Sequence, residues 1–183
     1  MSEELVIRHC SPTLAGLKTG NLFSCSFASS HLLKDEIRQL NKRLVPKGLR
    51  VLPLRCRQNK ALIYIFRPAK LKKDFTHSLT RQLLQTQGYT CTSPEKCVLK
   101  LTDKLQSSDA FPHEIGLFLG YPPEDVLGFI ENKACNYKCC GCWKVYCNEE
   151  QAKNLFAKYK KCSDVYFKQW QDGKSVERLT VPT

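Results

Sequence analysis

Residues 49 to 66, LRVLPLRCRQNKALIYIF, contain two extended apolar runs separated by the polar residues QNK. β-Branched and aromatic residues are frequent in the second run, and a short polar connection between two such runs is typical of a β-hairpin. Pro53 has no amide hydrogen to donate to a neighbouring strand. The stretch therefore predicts a β-hairpin with Pro53 at an edge or at a bulge.

Other elements are predicted on both sides of this hairpin. The apolar spacing from Leu33 to Leu44 indicates an amphipathic helix, which Pro46 and Gly48 should end. We expect a flexible start, followed by a strand in residues 14–27 that glycines interrupt. Further helices are predicted by apolar spacing and by proline, serine or asparagine at their starts in residues 75–83, 98–105, 111–120, 121–133 and 148–161.

The last two predicted elements, and the order of strands and helices along the chain, indicate the fold class. WKVYC, residues 143–147, is a strand candidate, and residues 163–181 predict a helix that ends at Gly173 or, alternatively, a hairpin turning on Asp172 and Gly173. Strands separated by helices at uneven intervals favour an α+β fold, with a small mixed β-sheet and a hairpin packed against several short helices.

Length and charge suggest how the chain is organised. With 183 residues we expect a single domain over 1–183, which divides at most into a basic half, 1–110, and a second half, 111–183. The first half holds 19 Lys and Arg against 8 Asp and Glu, so it carries +11 of the formal charge of +12. A polyanion such as RNA is a candidate partner for this half.

The start of the chain and its cysteines indicate a compartment. Glu3 and Glu4 stand where a secretory signal carries basic residues, and the apolar runs ALIYIF and LFL are too short to span a membrane. We therefore expect a cytoplasmic protein without membrane contact. The odd number of cysteines, eleven, argues against a disulfide scaffold, because a reducing cytosol keeps such thiols free unless they bind metal or act in redox chemistry.

Five cysteines lie in residues 133–147, KACNYKCCGCWKVYC, and the candidate metal ligands are Cys135, Cys139, Cys140 and Cys142. A structural zinc site usually combines two CxxC pairs from separate segments, and this stretch has one such pair. Strand alternation would also place Cys142 and Cys147 on opposite faces. Additional ligands could come from Cys162, or from Cys91 with Cys97. Packing thiols, a metal or iron–sulfur centre, and redox cycling all remain open, and no cofactor is required.

His113 and Glu114 are the candidate catalytic pair. The residue four positions after His113 is Leu117, so the HExxH zinc motif is incomplete. His113 could act as a general acid or base, or as an iron ligand, with Glu114 beside it. Alternatively, Glu114 complements a helix dipole and His113 bonds a neighbouring loop.

Two further patterns concern anions. The short helices around Gly120 suggest a helix-turn-helix, but the second helix would present acidic residues and no arginine to DNA, which excludes specific DNA reading through residues 111–132.

Anion contacts are more plausible at cations near the hairpin, where two arginines share a strand face and a third ends the paired strand. These candidates are Lys18, Arg55, Arg57 and Arg67. A solvated basic surface is the alternative.

FPHEIGLFLGYPPEDVLGFIENK, followed by GCWKVYCNEEQAKNLFAKYKKC, resembles a domain-of-unknown-function family of small cytoplasmic proteins from anaerobic bacteria. PTLAGLKTGNLFSC and IYIFRP extend this resemblance over nearly the whole chain. The resemblance implies little about chemistry. It also implies few cysteines before the WKVY strand, usually one near Cys140 and an aromatic residue in place of Cys142, so the cysteine density of this chain departs from the family pattern.

Together these patterns support two hypotheses about function. The first is a protein that binds a small ligand, a metal or an iron cofactor near FPHEIG and the WKVY strand, with a redox or enzymatic role. The alternative is a non-catalytic module that binds RNA or another polyanion through the basic first half.

Overall fold

The computed structural model describes residues 2–90, 93–108 and 110–182. A single 3₁₀ turn, Val45–Lys47, follows the second helix. The α-helices and strands in these ranges are, in chain order, α1 (Glu3–Leu14), β1 (Gly20–Ser26), α2 (Ser30–Leu44), β2 (Arg50–Arg57), β3 (Lys60–Phe66), α3 (Pro68–Asp74), α4 (Ser78–Thr86), α5 (Pro94–Ser107), α6 (Ile115–Phe118), α7 (Pro123–Glu131), β4 (Cys139–Cys140), β5 (Lys144–Val145), α8 (Glu149–Gln171) and α9 (Val176–Leu179).

The predicted hairpin forms the larger sheet together with β1. β3 is the central strand, and β1 and β2 flank it in antiparallel register. Gln58 and Asn59 connect β2 to β3 with φ of 49° and 58°, as a two-residue type I′ turn requires. The register of β2 shifts between Pro53 and Arg55, so Pro53 lies at a bulge on an edge strand, as predicted.

The α+β class with a hairpin is confirmed, but the pairs in the described strands are antiparallel, whereas the sequence suggested a mixed sheet. β1 and β2 do run in the same direction, because each is antiparallel to β3. β3 separates them, however, so no parallel ladder forms between the two.

Helices cover both faces of this sheet. Ala61, Ile63 and Ile65 of β3 belong to a core with α1 and α2, while Tyr64 and Phe66 belong to a second core with α3 to α7. A strand that is buried on both faces needs apolar residues at successive positions. This explains why ALIYIF shows no alternation of apolar and polar residues.

The expected flexible start is wrong, because residues 3–14 form α1. The Ser2 side chain caps this helix by accepting a hydrogen bond from the Leu5 amide, and Glu3 and Glu4 occupy the first turn. Helix-spaced side chains, including Val6 and Cys10, are buried against the sheet. The strand predicted over residues 14–27 is correspondingly shorter and begins at Gly20.

The later elements follow the sequence with changes in their limits. Ser29 caps α2 and Ser93 caps α5, as their positions suggested. Phe75 follows the end of α3 and does not begin the next helix, while the WKVYC strand contracts to Lys144–Val145. α8 continues without a break to Gln171, and Gly173, with φ of 89°, ends it as predicted.

A third and smaller core joins the C-terminal elements. It contains Trp143 and Val145 of the β4–β5 region and Ala152 and Tyr159 of α8. Residues 139–145, which we call the cysteine hairpin, therefore rest on α8. Among the described helices, none is both long enough and apolar enough to cross a membrane.

Candidate functional site

A pocket of about 350 Å³ lies between α7, the segment that leads into α6, and the cysteine hairpin. We call it the hairpin pocket. Two motifs that are far apart in the sequence, FPHEIG and GCWK, therefore line one cavity. Its apolar residues include Ile115, Val126, Phe129 and Trp143, and its residues with reactive or polar side chains are His113, Tyr121, Asp125, Cys140, Cys142 and Lys144.

Asp125 holds the cysteine hairpin against α7. One carboxylate oxygen accepts the indole N–H of Trp143 at 2.8 Å, and the other accepts the amides of Tyr146 and Cys147 at 2.8 and 2.9 Å. From the sequence, Asp125 was considered only as one of the acidic residues that argue against DNA binding. A signal was present in the helical spacing, because Asp125 lies three residues before Gly128 on the buried face of α7. Its three accepted bonds make Asp125 a structural group of the pocket.

Stacked aromatic rings form one wall. The Tyr121 and Trp143 rings lie 4.8 Å apart at 29°, and Phe156 meets Trp143 edge-on at 4.6 Å. The Tyr121 hydroxyl donates to the Cys142 carbonyl at 3.1 Å. Gly128 is required on the face of α7 that meets this segment, because a Cβ there would lie 2.5 Å from the Tyr146 ring. The wall is therefore fixed by packing and by hydrogen bonds.

The structure separates the candidate catalytic pair. His113 is exposed, lines the pocket and contacts the Phe129 ring at 5.1 Å. Glu114 is buried away from the pocket, where it accepts hydrogen bonds from Lys104 at 2.6 Å and Tyr89 at 3.1 Å. Glu114 thus ties the start of α6 to α5, and of the two residues only His113 faces the pocket.

The cysteines do not converge. Within the described parts of the chain, no group of three or more His, Cys, Asp and Glu side chains is arranged to hold a metal ion. Cys140 and Cys142 line the pocket, Cys139 packs against the Trp143 core, and Cys135 is exposed. The structure therefore does not assemble the predicted ligand set. Cys91, suggested as a further ligand, lies outside the described residues.

The anion candidates are also dispersed, which corrects the expected convergence of Arg67 with Arg55 and Arg57. Arg57 lies opposite Lys60 in the β2–β3 ladder, next to the hairpin turn. Arg67 follows the other end of β3. Arg67 is fully buried, and its guanidinium donates to backbone carbonyls. Arg57 donates to the Gln106 carbonyl at 2.8 Å. In an antiparallel hairpin the end of the second strand lies beside the start of the first strand. Arg67 is therefore near Arg50, and it is far from Arg55 and Arg57.

Lys18 is buried behind the aromatic wall. Its ammonium lies 4.9 Å from the centre of the Tyr121 ring and 6.0 Å from that of Tyr159. No hydrogen bond or ion pair to this ammonium occurs within the described residues. Burial lowers the pKa of Lys18 from 10.5 to about 8, while the nearby Cys142 and Cys10 thiols act in the opposite direction. Lys18 is thus a desolvated cation in a setting of rings and thiols.

Replacing Lys18 with methionine should stabilise the fold at pH 7 by about 2 kcal/mol, since roughly 3 kcal/mol of desolvation is removed and about 1 kcal/mol of cation–π attraction is lost. Between pH 8 and 10.5 the unfolded wild type binds more protons than the folded one, so wild-type stability rises relative to the variant. Urea denaturation at pH 7 and pH 10.5 measures the difference in the free energy of unfolding between the variant and the wild type. If this difference does not become smaller at the higher pH, Lys18 is not a buried cation whose pKa is lowered.

A comparison with models of protein families finds a match over most of the chain. The family model described as "Protein of unknown function (DUF3793)" matches residues 6–180. No curated protein and no solved structure matches the chain.

Proposed function

The chain belongs to the DUF3793 family, and we propose that it binds a small, planar, negatively charged ligand in the hairpin pocket. One observation carries this proposal: His113 and the cysteine hairpin, which the sequence singled out separately, line the same aromatic cavity. Its volume of about 350 Å³ falls at the lower end of the roughly 300–1,000 Å³ typical of ligand sites. A ligand of one or two fused rings suits this size.

The aromatic residues favour a planar ligand. Trp143 already stacks on Tyr121, and Phe129 contributes a further ring to the lining. Offset and edge-on ring contacts are favourable beyond the area that they bury. Because Asp125 fixes the Trp143 indole, the ring of a ligand would meet a preorganised surface.

The unused polar groups favour a negative charge on the ligand. Both oxygens of Asp125 already accept hydrogen bonds. The Lys144 ammonium donates to the Ala134 carbonyl at 2.8 Å, and since an ammonium has three hydrogens, it can donate further bonds. In residues 2–90, 93–108 and 110–182 no hydrogen bond involves the His113 ring. The pocket thus offers donors at Lys144 and a ring nitrogen at His113, which suit a carboxylate or a similar acceptor.

The other hypotheses receive less support. A metal or iron–sulfur centre would need thiolates that converge, and those of the described cysteines do not. Of the four cations named for an RNA or polyanion surface, Lys18 and Arg67 are buried and Arg57 donates to a backbone carbonyl, although other cations of residues 1–110, such as Lys34 and Lys72, are exposed. We therefore place ligand binding first and leave a redox or enzymatic step to the chemistry of the pocket thiols.

Calorimetric titration with 2-naphthoate and its neutral analogue 2-naphthamide tests the proposal. Thirteen heavy atoms at about 0.3 kcal/mol each give roughly 4 kcal/mol, or a Kd on the order of 1 mM or tighter for 2-naphthoate. We expect 2-naphthamide to bind at least about fivefold more weakly, because it loses about 1 kcal/mol of charge-assisted bonding. Lys144→Met should remove this difference.

His113→Ala tests the role of the pocket histidine, and His31→Ala is its matched control. His113 lines the pocket, whereas His31 is an exposed residue of α2 with an i,i+4 contact to Asp35. The first change should weaken 2-naphthoate binding, and the second should leave it unchanged. If neither naphthalene binds at millimolar concentration, or if both histidine variants bind as the wild type does, the proposal is wrong.

A further inference from the structure

We propose that the free edge of β1 pairs with β1 of a second copy of this chain, so that two three-stranded sheets join into one continuous sheet in a dimer. The two edges of the larger sheet differ, and this difference carries the inference. The residues concerned do not line the hairpin pocket, so the inference is independent of the proposed function.

The edge formed by β1 has backbone groups without partners. The Phe27 amide donates to the Asn59 carbonyl at 2.9 Å, in register with the β1–β3 ladder, so the odd-numbered residues of β1 exchange hydrogen bonds with β3. Backbone groups alternate in direction along an antiparallel strand, so the amides and carbonyls of Leu22, Ser24 and Ser26 point away from β3. Among the described residues, none provides a hydrogen-bond partner for these amides and carbonyls.

Other elements leave this edge accessible. Of the described elements, β3 and α1 make the extensive contacts with β1, and α1 packs on one face of the sheet. Ser24 and Ser26 are exposed, and Leu22 is half-buried. A strand that approaches from the side can therefore reach the outward backbone groups.

The opposite edge, formed by β2, is closed. The Asn41 side chain of α2 accepts a hydrogen bond from the Val51 amide at 2.9 Å and donates one to the Val51 carbonyl at 2.8 Å. The next outward position is Pro53, which lies at the bulge and has no amide hydrogen. Prolines, bulges, charges and covering groups are the means by which proteins prevent pairing at a sheet edge. β1 lacks all of these, so the two edges differ in their ability to pair.

The composition of β1 favours a second copy as the partner. Its sequence, GNLFSCS, contains no charged residue and no proline. Like charges that face each other across two strands are destabilising, and two copies of β1 bring none together. The strand also offers no charge that would select an acidic or a basic segment of another protein. In β2, by contrast, Arg50, Arg55 and Arg57 would oppose pairing with a second β2.

An antiparallel pair of β1 strands has two-fold symmetry. With each Ser24 opposite its counterpart, each Leu22 lies opposite a Ser26, and about six backbone hydrogen bonds cross the interface. Because β2 is closed, assembly should stop at the dimer. One strand pair is a small interface, below roughly 1,200 Å², so we expect a dissociation constant on the order of 50 µM.

Sedimentation velocity from about 5 to 500 µM of the full chain tests the proposal, and the expected change is from mostly monomer to mostly dimer. Ser24→Pro removes one outward amide hydrogen and should raise the dissociation constant at least about tenfold. Proline is compatible with this position, because the Ser24 amide does not bond to β3 and β1 is an edge strand. Ser24→Ala, which keeps every backbone group, is the matched control and should stay within about twofold of the wild type.

Hydrogen exchange identifies the surface that pairs. At 500 µM the amides of Leu22, Ser24 and Ser26 should exchange roughly fourfold more slowly than at 5 µM, because the monomer fraction falls by about that factor. The Val51 amide, which is bonded within the chain, should exchange at the same rate at both concentrations.

A monomer at every concentration would overturn the proposal and leave the edge to an extended segment of another protein. A dimer that Ser24→Pro does not weaken, or that gives no slower exchange in β1, would place the interface elsewhere. Species larger than a dimer would show that the β2 edge is not closed. If circular dichroism shows that Ser24→Pro is unfolded, Ser24→Lys replaces it, because this change keeps the backbone groups and sets two like charges opposite each other.

Discussion

Replacing Arg67 with methionine should lower the free energy of unfolding by roughly 4 kcal/mol, because three carbonyl oxygens, two of them in buried hydrogen bonds, lose their donor at about 1 kcal/mol or more each. The guanidinium donates to Thr13, Leu14 and Val181 at 2.7 Å each. α1 has no basic residue in its last turn, so Arg67 supplies the cation at this helix end. Thermal unfolding should shift down by about 10 °C for a chain of this size.

Arg50→Met is the matched control for this prediction. Arg50 is exposed and lies opposite Phe66, the residue that precedes Arg67. A surface change of this kind should stay within about 0.5 kcal/mol of the wild type. Arg67→Lys should be intermediate, since an ammonium keeps the charge but cannot reproduce the planar arrangement of donors. Equal stability of Arg67→Met and Arg50→Met would show that the guanidinium does not hold these three segments together.

Asp125→Ala should have a comparable effect on a smaller part of the molecule. Three donors, the Trp143 indole and the Tyr146 and Cys147 amides, would lose a charged acceptor. At about 1.5 kcal/mol for each bond we expect a loss of roughly 4 kcal/mol in the stability of the cysteine hairpin. Hydrogen exchange at the two amides and the Trp143 fluorescence spectrum report this loss directly.

Glu124→Ala serves as the control for Asp125, because Glu124 is the exposed neighbour in the first turn of α7. We expect it to leave both amides protected. Asp125→Ala should also abolish 2-naphthoate binding, since the Trp143 wall is no longer fixed. Unchanged exchange at Tyr146 and Cys147 in Asp125→Ala would mean that Asp125 does not anchor the cysteine hairpin.

Elements with strong local signals could be predicted from the sequence. The β2–β3 hairpin, the bulge at Pro53, the cap of α2 and the end of α8 all follow from short-range chemistry. α1 was not predicted, since a flexible start was expected where residues 3–14 form a helix. Pro12 has no amide hydrogen to donate within the helix, so α1 depends on the burial of its side chains against the rest of the molecule, which no local pattern reports.

The site could be predicted in part. FPHEIG and the WKVY strand were expected to lie near a ligand, and they line one pocket. The roles of Lys18 and Arg67 could not be predicted, because a cation that is buried by distant segments looks like any surface cation in a basic sequence. The separation of His113 from Glu114 likewise depends on Lys104, which comes from another helix.

The contact between the first helix and the last segments has a consequence for biosynthesis. Glu3 accepts a hydrogen bond from the Val176 amide, and the Val181 amide donates to Leu14. α1 is synthesised well before α8 and α9, which complete its core. At usual synthesis speeds its apolar stripe stays uncovered for on the order of 10 s. A nascent chain that stalls before residue 149 would present this part of α1 to chaperones and proteases, so translation of α8 and α9 sets the moment at which it is covered.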